Sequence, residues 1–272
     1  MRKDRIIKMI IEKNIISEYK KNGVVLIKNA ISSYWLNQLS IGIEKNFINP
    51  SKYKCVYEKK NSVELFFDDY CNWQRITEYK NFFFKSNVAK LASQLMRSKK
   101  VNIFHEHVLI KEAGSLKKTP WHQDQPYYCV NGKDNCSLWI PLDHVPKEIC
   151  PEFICGSHEW NKQFLPTKFI GDSYNRDDEE LEKIPDIESN REKYNIAAWS
   201  LEPGDLIAFN FATVHGAPGN SSKNRRRAFS ARFTGDDARF IKRKGEISPP
   251  FPEVSLSSGD KMDCDSFPRI NF

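Results

Sequence analysis

The chain has 272 residues, with 42 Lys and Arg against 35 Asp and Glu and a formal net charge of +7. That length suits one large domain with a sizeable core, and the composition is that of a globular protein. The positive excess forms no Lys/Arg block, and no apolar run approaches the roughly 18 residues that span a bilayer, so nucleic acid and membrane are both read as absent partners.

Seven cysteines stand scattered without a C-x-x-C, which predicts reduced thiols and a cytoplasmic location. The opening Met1 to Glu12 has a short apolar stretch broken by Lys8, so it is not read as a signal peptide.

Ile6, Ile7, Ile10, Ile11, Ile15, Ile16 and Tyr19 recur at helical spacing and predict an amphipathic N-terminal helix. Residues 23–27 form a short β-run. Ser32 or Ser33 is placed to cap a helix carrying Trp35, Leu36, Leu39, Ile41 and Ile43. Residues 48–75 read as irregular. Within them Asp68, Asp69, Asn72 and Trp73 either face a substrate or belong to a loop stapled by its aromatics. Residues 81–98 read as one helix.

Residues 101–111 are a strong strand with His105 and His107 at i, i+2 and Glu112 just beyond. This imitates the first metal motif of cupins, although Gly114 comes too early for the usual glycine. The other reading of both histidines is core or pocket wall. The stretch from Thr119 to Tyr128 places His122 and Asp124 two residues apart, and on an extended strand such side chains project to one face. Residues 136–143 and 151–158 are further strands, the second closing in a Gly-Ser turn. Residues 163–193 form a polar, acid-rich insertion, either a solvated face or an active-site lid. A turn at 199–205 feeds a single strand, 206–215, ending in His215. A loop rich in Gly, Pro, Asn and Ser follows, and residues 225–233 resume as strand. The Pro- and Ser-rich tail after Lys244 is expected to wrap the surface without a core of its own.

No repeat or linker divides the chain. The expectation is a single domain over 1–272: a mostly helical flank (1–98), a β core (101–240) and a tail (241–272). Many short strands with turns between them predict a mainly β jelly roll with N-terminal helices packed on one sheet.

Two imidazoles and one carboxylate, His122, His215 and Asp124, can cap one face of a metal and leave its other positions open. That facial triad suits non-haem Fe(II) and O2. A 2-oxo acid would chelate such a metal, and its far carboxylate then needs a partner, for which the planar fork of an arginine is suited. Alternation sorts the arginines of the last strand. Arg226, Ala228, Ser230 and Arg232 share a small, polar face, while Phe229 and Phe233 lie on the other with Arg225, Arg227 and Ala231. Arg226 is therefore chosen as the cosubstrate grip, with Arg232 deeper along the strand or near substrate.

Taken together, the stretch from Trp121 to Tyr128, Trp139, Gly156-Ser157-His158, Pro203-Gly204-Asp205, His215-Gly216 and Arg226 eleven residues beyond His215 resemble the phytanoyl-CoA dioxygenase family. The resemblance covers roughly residues 15–240. It implies a double-stranded β-helix and an Fe(II)/2-oxoglutarate oxygenase. It implies His122, Asp124 and His215 as metal ligands, Arg226 as 2-oxoglutarate anchor, and Gln123, Trp139 and His107 as neighbours of the cosubstrate. Two places depart from the family pattern: Ala217 stands where a Ser is frequent, and the stretch before the Gly-Ser-His turn lacks Asn-Gly-Cys. An Ala or Gly at 124 would have suggested a halogenase, so Asp124 points to hydroxylation-type chemistry.

Tyr127, Tyr128, Trp73, Arg232 and the 163–193 insertion are candidate substrate walls, each equally open to a structural role. The basic charge and Arg232 lean the substrate towards a small anionic or zwitterionic metabolite. Alternatives are an acyl-CoA hydroxylase of the same family, a cupin-like metal enzyme using His105 and His107, and a non-catalytic binding module. A monomer or homodimer is expected.

Overall fold

A computed structural model describes residues 11–57, 65–166 and 181–272. Ile6, Ile7 and Ile10 of the predicted helix, and much of the 163–193 insertion, lie outside the described residues.

The first helix, α1, spans Lys13–Asn22 and ends at Gly23, whose φ of 71° lets its N–H return to the Tyr19 carbonyl. Strand β1 (Val24–Ile27) follows, then α2 (Ser33–Ile48), capped by the Ser32 side chain at the Trp35 N–H. The stretch read as irregular contains two strands, β2 (Cys55–Tyr57) and β3 (Phe66–Tyr70). The single helix expected over 81–98 is two, α3 (Thr77–Lys85) and α4 (Val88–Met96). Ser86 breaks it: its backbone is extended (ψ 176°), and its hydroxyl turns back to the Phe82 carbonyl.

The remaining strands are β4 (Asn102–Lys111), β5 (Thr119–His122), β6 (Val130–Asn131), β7 (Asn135–Pro141), β8 (Glu152–Ile154), β9 (Ile196–Ala197), β10 (Leu206–Phe209), β11 (His215–Ala217), β12 (Arg226–Thr234) and β13 (Arg239–Phe240). Seven form one sheet in the order β1-β10-β7-β12-β4-β3-β2, and four form a second, β5-β11-β8-β9. All pairings are antiparallel. The two sheets face each other as a double-stranded β-helix. Trp139, Ile207, Phe209 and Ala228 of the large sheet pack with Phe153 of the small one.

The other face of the large sheet is covered by the helices. Phe229 seats against Tyr79 and Phe82, with ring centroids at 4.8 and 5.6 Å, and Phe233 against Phe83 at 5.5 Å. Strict alternation along β12 therefore sends Arg226, Ser230 and Arg232 into the space between the sheets.

The run 206–215 is not one strand. Asn210 accepts the Ala212 N–H on its side chain and the Thr213 N–H on its carbonyl, a turn that moves the chain from β10 in one sheet to β11 in the other. The tail packs into a cluster it shares with Phe104 and Phe211 of the body. Phe267 is fully buried, the Ile103 N–H bonds the Pro268 carbonyl, and the Ile270 N–H bonds that of Val101. All seven cysteines are free. Among the described residues no helix is long and apolar enough to cross a membrane.

Candidate metal centre

In the β5–β11 pairing His122 and His215 lie directly opposite each other, and their rings are 4.2 Å apart. The Nδ1 of His122 lies 2.8 Å from the Pro120 carbonyl and that of His215 2.9 Å from the Thr213 carbonyl. A carbonyl only accepts, so each Nδ1 carries the proton and each Nε2 presents a lone pair. Asp124 does not reach the site by strand alternation as expected. β5 ends at His122, and Asp124 is in the αR region at the start of a short turn, held by the Gln125 N–H on the Phe211 carbonyl. Its Oδ1 lies 3.6 Å from His122 Nε2 and 3.9 Å from His215 Nε2.

Three lone-pair donors directed at one point repel each other unless a cation neutralises them, and two imidazoles with one carboxylate suit a ferrous ion. Among the described residues this is the group of His, Cys, Asp or Glu gathered closely enough to hold a metal, its ligand atoms within 4.8 Å of one another. Burial, then the neighbouring His122, pushes the His215 pKa down to about 3, so no proton competes for that nitrogen at neutral pH. Burial alone would raise the Asp124 carboxyl, but Arg232, whose Nε is 3.3 Å from Oδ2, and the two histidines hold it well below its usual range.

The triad opens on a cavity of about 610 Å³. At another part of its wall Arg226 and Lys111 lie opposite each other on β12 and β4. Arg226 is 5% exposed; one of its N–H groups bonds the Ile149 carbonyl, and no carboxylate among the described residues pairs with it. Burial lowers its pKa to about 10, which leaves it cationic at neutral pH. Lys111 is spent on the carbonyls of Lys117 (2.7 Å) and Pro218 (3.0 Å).

A profile of the phytanoyl-CoA dioxygenase family matches residues 19–228. The chain belongs to that family. A probable phytanoyl-CoA dioxygenase of Caenorhabditis elegans is 21% identical over 89% of this chain and 82% of its own. Solved structures of similar fold include the non-haem α-ketoglutarate-dependent carbocyclase SnoK from nogalamycin biosynthesis, with a TM-score of 0.75 at 19% identity over 96% of this chain and 97% of that one. The epimerase SnoN, in complex with Fe3+, α-ketoglutarate and nogalamycin RO, gives 0.73 at 19% identity over 95% and 98%. EctD from S. alaskensis, with 2-oxoglutarate and 5-hydroxyectoine, gives 0.69 at 18% over 92% and 85%.

The other candidate residues, the cosubstrate neighbours that the resemblance implied and the substrate-wall candidates, divide into two groups. Trp139, His107, Tyr127, Tyr128 and Arg232 line the cavity. Tyr127 meets the His122 ring edge-on at 5.8 Å. His107 Nε2 bonds Asp68 Oδ1 at 3.0 Å. Arg232 binds Asp124 through Nε, while its Nη1 has no hydrogen-bond partner among the described residues.

Gln123 and Trp73 do not line the cavity. The Gln123 amide donates to the carbonyls of Lys162 and Ala212 and accepts the Phe164 N–H. Trp73 packs into the core beside Phe83 and Phe84. Asp69 and Asn72 are also buried; Asp69 holds Asn46 and Ser51. The cupin-like set does not assemble, because Glu112 is 2.6 Å from Arg225 while His105 and His107 face the cavity.

The motif residues outside the cavity are structural. Ser157 of the Gly-Ser-His turn donates to the Ile154 carbonyl and accepts the Val214 N–H, which fixes the residue before His215. Sequence reasoning missed Lys111, although its alternation with His107 and Leu109 was a usable signal. It also missed Ser248 and Pro249, tail residues that line the cavity and carry no periodic pattern.

Proposed function

We propose that the protein is an Fe(II)/2-oxoglutarate-dependent dioxygenase that oxidises an unactivated C–H bond of a small molecule and releases succinate and CO2. The observation that carries this reading is the pairing, in one cavity, of a His122/Asp124/His215 cluster with a buried guanidinium, Arg226, that has no counter-charge among the described residues. When bound, iron supplies the activation of O2 that no protein side chain provides.

The chain's own residues position and protect. His122 and His215 are locked in the tautomer that presents Nε2, and Arg232 keeps Asp124 ionised and oriented. Arg226 would hold the far carboxylate of 2-oxoglutarate through a planar fork. Phe153, stacked on His215, and Phe209 limit water at the centre. The volume falls within the usual range for a small-ligand site.

The fate of the oxidised carbon, hydroxylation, desaturation or ring closure, depends on the substrate. The test is a screen of Fe(II)-loaded protein against a metabolite library, scored for succinate release that requires both 2-oxoglutarate and O2. Product masses separate a gain of one oxygen from a loss of two hydrogens. Absence of 2-oxoglutarate binding by the Fe(II)-loaded protein would sink the proposal.

A further inference from the structure

Among the described residues, four cavity-lining side chains each carry a buried polar atom without a hydrogen-bond partner: Asp68 Oδ2, His105 Nε2, Ser230 Oγ and Arg232 Nη1. Buried polar groups are seldom left unpaired, and at a cavity wall such atoms mark where a ligand bonds.

Two of the four are pure acceptors. Asp68 is 2% exposed, and its other oxygen is fixed by His107. His105 is 1% exposed, and its Nδ1 lies 3.0 Å from the Glu106 carbonyl. That nitrogen must therefore donate, so Nε2 keeps a lone pair. Burial first, and the nearby Arg232 next, favour the neutral imidazole.

The sheet register locates them. Arg226 pairs with Lys111 at one end of the β12–β4 ladder and Arg232 with His105 towards the other; Asp68, on β3, pairs with Leu109. The cosubstrate grip and the Asp124 partner thus share the central strand β12, while the acceptors lie to one side on β3 and β4.

Every cavity cation has a task already. Arg232 is bound to Asp124 through Nε, with Nη1 still open, Lys111 is bound to two carbonyls, and Arg226 is assigned to the diacid. What remains on the β3 and β4 side is a carboxylate and a lone pair, which repel an anion and attract a donor; the Ser230 hydroxyl and the Arg232 Nη1, which can donate, lie on β12.

We propose that Asp68, held by His107, and His105, nearer the metal ligands, form the substrate-anchoring subsite, and that it takes hydrogen-bond donors, hydroxyl or protonated amine, rather than a carboxylate or phosphate. This rests on the proposed function, which assigns Arg226 to the cosubstrate.

The test uses the full chain loaded with Fe(II) and 2-oxoglutarate in the absence of O2. Three matched probe sets on one six-membered carbon ring are compared by crystal soaking and ligand-detected NMR: cyclitols, aminocyclitols and ring carboxylates. The expected result is a hydroxyl or ammonium within hydrogen-bond reach of Asp68 or His105. Asp68→Asn should weaken the amino set by about tenfold to a hundredfold, the scale of a lost charge-assisted bond, and the hydroxyl set by less. A larger loss in the hydroxyl set assigns that source instead. If Asp68→Asn does not fold, His105→Phe, which fills the space without an acceptor, should show the loss.

Carboxylates binding there as well as the donors, no set entering the cavity, or unchanged affinities in the folded variants would each overturn the proposal. Binding of 2-oxoglutarate by the wild type is measured first. Its failure removes the proposed function and leaves the subsite to be judged from soaks of protein without it.

Discussion

Arg226 offers the sharpest test of how the cavity is divided. In Arg226→Met the stem volume is nearly kept and the guanidinium is lost. One of its five N–H donors goes to the Ile149 carbonyl, so at least two remain for a parallel pair of bonds to a carboxylate. At about 1.5–3 kcal/mol each, their loss weakens 2-oxoglutarate binding by about two to four powers of ten. Stability should behave differently. The guanidinium is 5% exposed with no carboxylate partner among the described residues, so its removal relieves a desolvated charge, and the free energy of unfolding should stay within about 1 kcal/mol of wild type or rise. Lys111→Met should affect binding less, because the Lys111 ammonium is already bonded to the Lys117 and Pro218 carbonyls. Calorimetric titration of 2-oxoglutarate into Fe(II)-loaded protein without O2, beside urea unfolding, reads both. An affinity within about threefold of wild type would refute the assignment of Arg226.

Replacing the partner of Asp124, in Arg232→Met, should lower Fe(II) affinity about tenfold to a hundredfold. The deficit should widen as pH falls, because Arg232 is the leading influence that keeps this buried carboxyl ionised; a pH-independent deficit in metal titrations would contradict this. His122→Ala should abolish stoichiometric metal binding while His107→Ala retains it, and the reverse outcome would revive the cupin-like site. Burial alone would raise the Asp205 carboxyl, but the Lys28 ammonium and the N–H groups of Glu202 and Asn29 outweigh it and hold the pKa below the ordinary value. The stabilisation this brings is present above the unfolded-state pKa of about 3.9 and disappears as pH falls through the lower folded value. Asp205→Asn should therefore cost about 1–2 kcal/mol at pH 7 and progressively less in acid, measured by urea unfolding at each pH. A cost that did not shrink below pH 4 would count against the ion pair.

The parts of the molecule legible in the sequence are those in which one residue's role repeats along an element. Alternation on β12 separated Arg226 and Arg232 from Phe229 and Phe233, because one face meets the cavity and the other the helices. The triad was legible as chemistry, yet its geometry was not: Asp124 converges on the histidines through a turn, and His215 begins a new strand. The first is held by a backbone bond from Gln125 to the Phe211 carbonyl and the second by the Asn210 side chain, and neither leaves a periodic trace. Trp73 and Gln123 show the converse. An aromatic or an amide next to a motif reads as a site residue, but long-range packing against Phe83, or carbonyls brought in from Lys162 and Ala212, decides which way it turns. The contribution of Ser248 and Pro249 is likewise set by where Phe267 and Ile270 anchor the tail.

The left-handed residue that ends α1 bears on the candidate metal ligands from outside the cavity. A β-carbon at Gly23 would stand 2.6 Å from Thr213 Oγ1 and 2.4 Å from His158 Nδ1. Thr213 is the residue whose carbonyl sets the His215 tautomer, and its hydroxyl already bonds the Gly23 carbonyl. A methyl group added there would push on Thr213 and twist an imidazole with which it shares no bond. Loss of metal in a Gly23 variant would then be an injury inherited through the backbone, with every ligand still in its place in the chain.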